Sequence, residues 1–180
     1  MSSATFREHS PGTVIRNGER SYAVEEEIGR SKFGRVFACR DDQGEPRVLQ
    51  AVWPFSRSYE AVREGWARQA AELRRVRHPG LVDLLDGFEH QGCFHLVHER
   101  FDHRLDQAIG SPDWDGGRWF EAVARPVLCA LEHAHRGGYT HRNLHPRNVF
   151  CAVPFAAVKL GDMVPIDKAV PDALTAVGAG

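Results

Sequence analysis

Three short runs rich in β-forming residues open the ordered pattern of the chain: Tyr22–Ile28, Arg35–Arg40 and Arg47–Trp53. Gly29–Gly34 separates the first two, and Asp41-Asp42-Gln43-Gly44-Glu45-Pro46 separates the second from the third, which predicts a three-stranded antiparallel meander. The period then changes. Val62, Trp66, Ala70, Leu73 and Val76 recur at spacings of three and four with Arg and Glu on the other face, so residues 57–77 are predicted to form a helix. His78-Pro79-Gly80 stops it. Leu81–Phe88 and Cys93–Phe101 predict two further strands joined across Glu89–Gly92, with Phe94, Leu96 and His98 on one face of the second.

After Asp102 the pattern turns helical. His103–Ile109 predicts a short helix, Ser111–Gly117 a loop, and Arg118–His135 a longer helix with Phe120, Val123, Val127, Leu128 and Leu131 as its apolar stripe. Gly137-Gly138 ends that helix. A small hairpin around Asn148–Phe150 and Val158–Leu160 follows. Residues 1–20 are polar, carry the turn signals Pro11-Gly12 and Asn17-Gly18, and read as a leader. Five strands with one helix, followed by helices, predict a β-rich smaller lobe and an α-rich larger one.

Composition narrows the function classes. The 180 residues hold 42% hydrophobic side chains, enough for a sizeable core. The formal charge of −1 gives no electrostatic reason to expect nucleic acid or a membrane surface as partner. Cys39, Cys93, Cys129 and Cys151 are widely spaced and form no CxxC pair, so they read as buried reduced thiols in a cytoplasmic setting. No signal-peptide pattern and no apolar run of about 18 residues is visible.

Four markers then occur in order: Ile28-Gly29-Arg30-Ser31-Lys32-Phe33-Gly34-Arg35-Val36, Arg77-His78-Pro79, His141-Arg142-Asn143-Leu144-His145-Pro146-Arg147-Asn148, and Lys159-Leu160-Gly161-Asp162. With these, the stretch from Gly12 to Asp162 resembles the first two-thirds of a bacterial-type Ser/Thr protein kinase domain. The resemblance implies an α+β, two-lobe fold. Residues 21–101 would form a five-stranded antiparallel small lobe with one helix. Residues 102–180 would form an incomplete helical lobe that stops early in the activation segment of a longer chain.

The resemblance also assigns roles, and the sequence departs from several of them. Gly29, Gly34 and Val36 match the glycine loop that lies over the phosphates, with Ser31 at the middle glycine. Aligning Val48-Leu49-Gln50-Ala51-Val52 on the third-strand motif places Ala51 where the phosphate-holding lysine is expected and Leu49 at the small adenine-roof position. No lysine lies between Lys32 and Lys159, so a slip of one residue restores none. The helix glutamate that partners the lysine falls on Gln69, with Glu72 one turn later as a candidate substitute. Asn143 replaces the catalytic Asp. An amide has no basic lone pair at neutral pH, and loss of the general base costs roughly 10²–10⁴ in rate. His145 replaces the catalytic-loop lysine. Asn148 and Asp162 match the two metal ligands. Glu99, Arg100 and Phe101 would form the hinge, with His98 beside the base, and Phe150 would form the adenine floor, where its bulk overfills the pocket.

His133 and His135 lie two apart on a helix and point in different directions, so no metal cluster with His141 and His145 is expected; His141 reads as a packed structural histidine. Leu144-His145-Pro146-x-Asn148 also resembles the small-molecule phosphotransferases of the aminoglycoside and choline kinase type, whereas Arg77-His78-Pro79 favours the protein-kinase side. Taken together, the departures predict a pseudokinase acting as a regulatory or binding module for a protein partner, with ATP and Mg²⁺ bound weakly or not at all. The competing expectation is an active, atypical Ser/Thr kinase that transfers the ATP γ-phosphate and holds Mg²⁺ through Asn148 and Asp162.

Overall fold

The computed structural model describes residues 9–31, 34–52, 67–68, 70–112, 114, 116–141, 144–152 and 156–161. The chain divides into two compact units, Met1–Ala71 with Leu84–Arg100, and Glu72–Asp83 with Phe101–Gly180.

The first unit is built on a six-stranded sheet of β1 (Val14–Asn17), β2 (Arg20–Ser31), β3 (Gly34–Asp41), β4 (Pro46–Val52), β5 (Leu84–His90) and β6 (Cys93–Glu99), in the order β1-β2-β3-β4-β6-β5. Every pairing is antiparallel. The expected meander is there as β2–β3–β4, and β5–β6 is the expected hairpin. The sixth strand, β1, falls inside the stretch read as a polar leader. Its pairing Asn17↔Arg20 leaves a two-residue loop whose first member, Gly18, has φ +60°, the geometry that two-residue hairpins favour. Ile15 is fully buried while its neighbour Val14 is exposed, so one buried apolar side chain suffices to fix the strand to the core.

That core contains Ile15, Tyr22, Val24, Phe37, Cys39, Leu49, Ala51, Phe88 and Val97. Asp86, buried on β5, ties the edge together. It accepts from Asn17 Nδ2 at 3.0 Å and from the Tyr22 hydroxyl at 2.8 Å, and its Oδ1 accepts from the Gly87 amide. Satisfying a buried carboxylate with several donors is the condition for leaving it in an apolar setting. Of the predicted helix over 57–77, residues 67–68 and 70–73 are described as helical; Val62 and Trp66 lie outside the described residues. Ala70 packs so closely on the sheet that a Cβ on Gly87 would come to 2.8 Å of its own.

In the second unit β7 (His103–Arg104), β8 (Val149–Ala152) and β9 (Ala157–Leu160) form a small sheet. The helix expected over His103–Ile109 is shorter, Leu105–Ala108, because residues 103–104 pair with β8 instead. The long helix begins with a π-turn at Phe120–Ala124 and continues as an α-helix over Arg125–Arg136. The buried stripe is Val123, Val127, Ala130 and Ala134, while Phe120 and Leu128, expected to be core, are 53% and 57% exposed. A π-turn holds an extra residue, which rotates Phe120 off the face it would share with Val127 in a regular helix; Leu128 lies one position, about 100°, round from it. Gly80 touches this helix where a Cβ would meet the Pro126 carbonyl at 2.9 Å. Cys39, Cys93 and Cys151 are buried as expected, and Cys129 is exposed. Burial pushes the Cys39 thiol up to about 12 and the Cys93 thiol to about 11.

Candidate functional site

The glycine hairpin is the end of the β2–β3 pair, from Tyr22↔Asp41 to Ser31↔Gly34; Lys32 and Phe33 lie outside the described residues. Irregularities between Val24 and Glu26 and between Glu27 and Gly29 shift the register, as bulges do, and set Gly29 opposite Val36. A Cβ on Gly29 would meet Val36 Cβ at 3.8 Å, an ordinary contact. Packing therefore does not demand glycine at this position. On the other face of the hairpin, Glu27 pairs with Arg30 and, at 3.4 Å, with Arg35.

The register of β4 corrects the alignment of the third strand. Directly opposed residues share a face of a sheet. Val36 stands opposite Gln50 and Ala38 opposite Val48, whereas Phe37 stands opposite Leu49 and Arg35 opposite Ala51. Leu49 and Ala51 are 0% and 1% exposed and belong to the core cluster. They point away from Val36. The residues on the Val36 face are Val48 and Gln50, both half-buried. On that face, the residue in the place the resemblance gives to the lysine would be Gln50, and the roof residue beside Val36 would be Val48. The signal was in the sequence: Gln50 is the one polar residue within Val48–Val52, flanked on both sides by residues that alternate into a core. Arg35 cannot replace the missing cation from its own strand, because it shares the face of Ala51 and is held by Glu27.

Gln69 lies outside the described residues. Glu72 is exposed and accepts from the Tyr139 hydroxyl at 3.3 Å. Of the hinge residues, Glu99 ends β6 opposite Arg47, and Arg100 Nη1 reaches Glu25 at 3.3 Å. Desolvation pushes the His98 imidazole, opposite Val48, down to about 4. Phe101 opens the second unit, its ring centroid 6.3 Å from that of Phe150 and 5.7 Å from Lys159 Nζ.

Asn143 and Asp162 lie outside the described residues. The loop around them is well anchored. His141 is buried, and its Nε2 donates to the Gly161 carbonyl at 2.6 Å; it fills the structural role expected of it. His145 N-caps the 3₁₀ turn Pro146–Asn148, its Nδ1 accepting from the Arg147 amide at 3.2 Å. That bond occupies the Nδ1 lone pair, so the ring at this position serves as a cap. The Asn148 carbonyl accepts from the Gly161 amide at 2.7 Å. A Cβ on Gly161 would meet Phe150 Cε2 at 2.5 Å and Val82 Cγ2 at 3.3 Å, so the Phe150 ring lies where any other residue would place its side chain. Gly161 entered the sequence reading only as a member of the Lys159–Asp162 marker, with no packing role given to it. Among the described residues, no group of three or more His, Cys, Asp or Glu side chains is arranged to hold a metal ion, and no helix is long and apolar enough to cross a membrane.

A glycine hairpin on an antiparallel sheet, followed along the chain by a histidine-anchored loop that ends in asparagine, defines a kinase-type domain. The protein kinase domain family matches residues 22–164, and the chain belongs to that family. Similar proteins include cyclin-dependent kinase-like 4 of Mus musculus, 29% identical over 123 residues that cover 68% of this chain and 36% of that protein. Cyclin-dependent kinase D-1 of Arabidopsis thaliana is 25% identical over 142 residues, 78% of this chain and 35% of the relative. Calcium-dependent protein kinase 16 of Oryza sativa subsp. japonica is 30% identical over 152 residues, 78% and 26% respectively. The chain spans about a third of the length of the first two. All three come from eukaryotes, so a bacterial type stays an expectation.

Proposed function

We propose that this domain is a catalytically impaired member of the family, a pseudokinase that binds and regulates a protein partner. The observation that carries the reading is the register of β4. The side chain opposite Val36 is an amide, Gln50, where the family uses an ammonium against the α- and β-phosphates. A neutral dipole gives only part of the charge-assisted hydrogen bonding that a phosphate receives from a cation. Asn143 adds the loss of a proton acceptor, and His145 spends a ring nitrogen on its helical cap.

These donors do not fit Mg-ATP as the family holds it. Asn148 and Asp162 are the residues that would hold the Mg²⁺, and Gly29, which packing does not require, is the feature that favours retained contact with phosphate. The test is thermal unfolding with and without millimolar Mg-ATP, on the wild type and on Gln50→Lys combined with Asn143→Asp. The expected result is no shift in Tm for the wild type and a shift for the double variant. A wild-type shift equivalent to a few kcal/mol, together with phosphate transfer to a protein hydroxyl, would overturn the reading in favour of an active, atypical Ser/Thr kinase.

A further inference from the structure

His9 and His95 meet in the first unit at a place the kinase reading does not use. His95 stands on β6 and is fully buried; His9 precedes β1 and is 8% exposed. Their Nε2 atoms are 2.8 Å apart. The His9 ring meets Phe37 edge-on at 5.5 Å, and the His95 ring stacks on Phe88 at 5.3 Å. The chain between His9 and β1 runs along β2: the Gly12 amide donates to the Val24 carbonyl and the Val24 amide to the Thr13 carbonyl, each at 2.8 Å. His9 is therefore the far end of a segment laid against the sheet, and its contacts with β3 and β6 hold that end down.

We propose that His9 and His95 form an acid-released strap, which ties the segment before β1 to the sheet while both rings are neutral and lets it go when they take up protons. Two imidazoles facing each other through one pair of nitrogens can share only one bridging proton. An added proton puts a charge between Phe37 and Phe88, where neither ring offers a counter-charge. A second would set N–H against N–H. The His95 Nδ1 is buried without a hydrogen-bond partner. Among the described residues, a further titratable group acting on the pair is His90, at the end of β5, whose ring is 6.1 Å from that of His95 and whose charge would add to the repulsion. Burial and then these neighbours hold His9 below its usual value and His95 down at about 3, against a small lift from the Cys93 backbone. In the released segment an imidazole titrates near 6.5. The open form binds more protons, so for one ring the opening constant rises about tenfold with each pH unit below 6.5.

Hydrogen exchange on the full chain tests this. Protection of the Gly12 and Val24 amides, corrected for intrinsic rates, is expected to fall about tenfold per unit between pH 6.5 and pH 5, while the amides of Leu49 and Val97 keep theirs. His9→Gln, which retains a hydrogen-bonding side chain and does not titrate, should abolish that slope. Flat protection of Gly12 from pH 7 to 5 would overturn the strap, as would an unchanged slope in His9→Gln. Should that variant fold poorly, histidine ring NMR on the wild type decides. His9 and His95 titrating together with the loss of Gly12 protection supports the strap, and His9 titrating alone near its ordinary value with protection intact sinks it.

Discussion

On one face of β4, Leu49 and Ala51 are shut into a cluster with Phe37, Cys39 and Val97, and His95 stands directly opposite Ala51. On the other face, Val48 and Gln50 remain half exposed beside Val36. The two faces alternate residue by residue, so neighbours in sequence answer to different constraints. The first face is answerable to packing, and a polar side chain on it, His95, is fully buried. The second is where a ligand would be met, and a polar residue there says something about function. The lesson is that the residue sharing the Val36 face is the amide Gln50, while the methyl group of Ala51 belongs to the core.

Placing a charge on each face in turn is the strongest way to break this comparison. Ala51→Lys buries an ammonium among apolar side chains and should cost about 3–5 kcal/mol, read from urea unfolding. If it costs less than about 1 kcal/mol, the register of β4 is wrong. Next in size is Gly87→Ala, on the Val36 side of the sheet by its pairing with Leu96. There Ala70 already sits 2.8 Å from the added Cβ, and overpacking of this kind costs about 1–3 kcal/mol. That face would then prove closed at the helix and open at Gln50.

Acid provides the third probe. His95 has its folded pKa depressed to about 3, so the unfolded chain binds its proton first. Stability is full above 6.5 and falls by about 1.4 kcal/mol per pH unit from there down towards 3. His95→Phe should flatten the stability–pH profile over that window; an unchanged slope would show that the core face is not where the protons go. The smallest effect is the most informative contrast with the first. Gln50→Lys should change stability by no more than about 0.5 kcal/mol, because its side chain is half-buried on the Val36 face of β4.

The sequence disclosed the parts of this domain that repeat a local rule. The β2–β3–β4 meander and the β5–β6 hairpin follow from their β-forming runs and turn residues. Ala70 and Leu73, two members of the helical stripe, are buried as their spacing requires. What was not legible depended on partners far along the chain. β1 was hidden because a single Ile15 carries its burial. The β4 register is set by its pairing with β3, and its one trace along the chain is the polar Gln50 between apolar neighbours. Phe120 was misplaced because a π-turn leaves no periodic mark. The close packing of Phe150 on Gly161 became visible only in three dimensions.

That last contact has a mechanical meaning. Gly161 is gripped through its carbonyl by His141, through its amide by the Asn148 carbonyl, and across its Cα by the Phe150 ring. A residue held at three points behaves as a fulcrum. Moving Gly161 therefore means disturbing the His141 bond, the Asn148 bond and the Phe150 ring together.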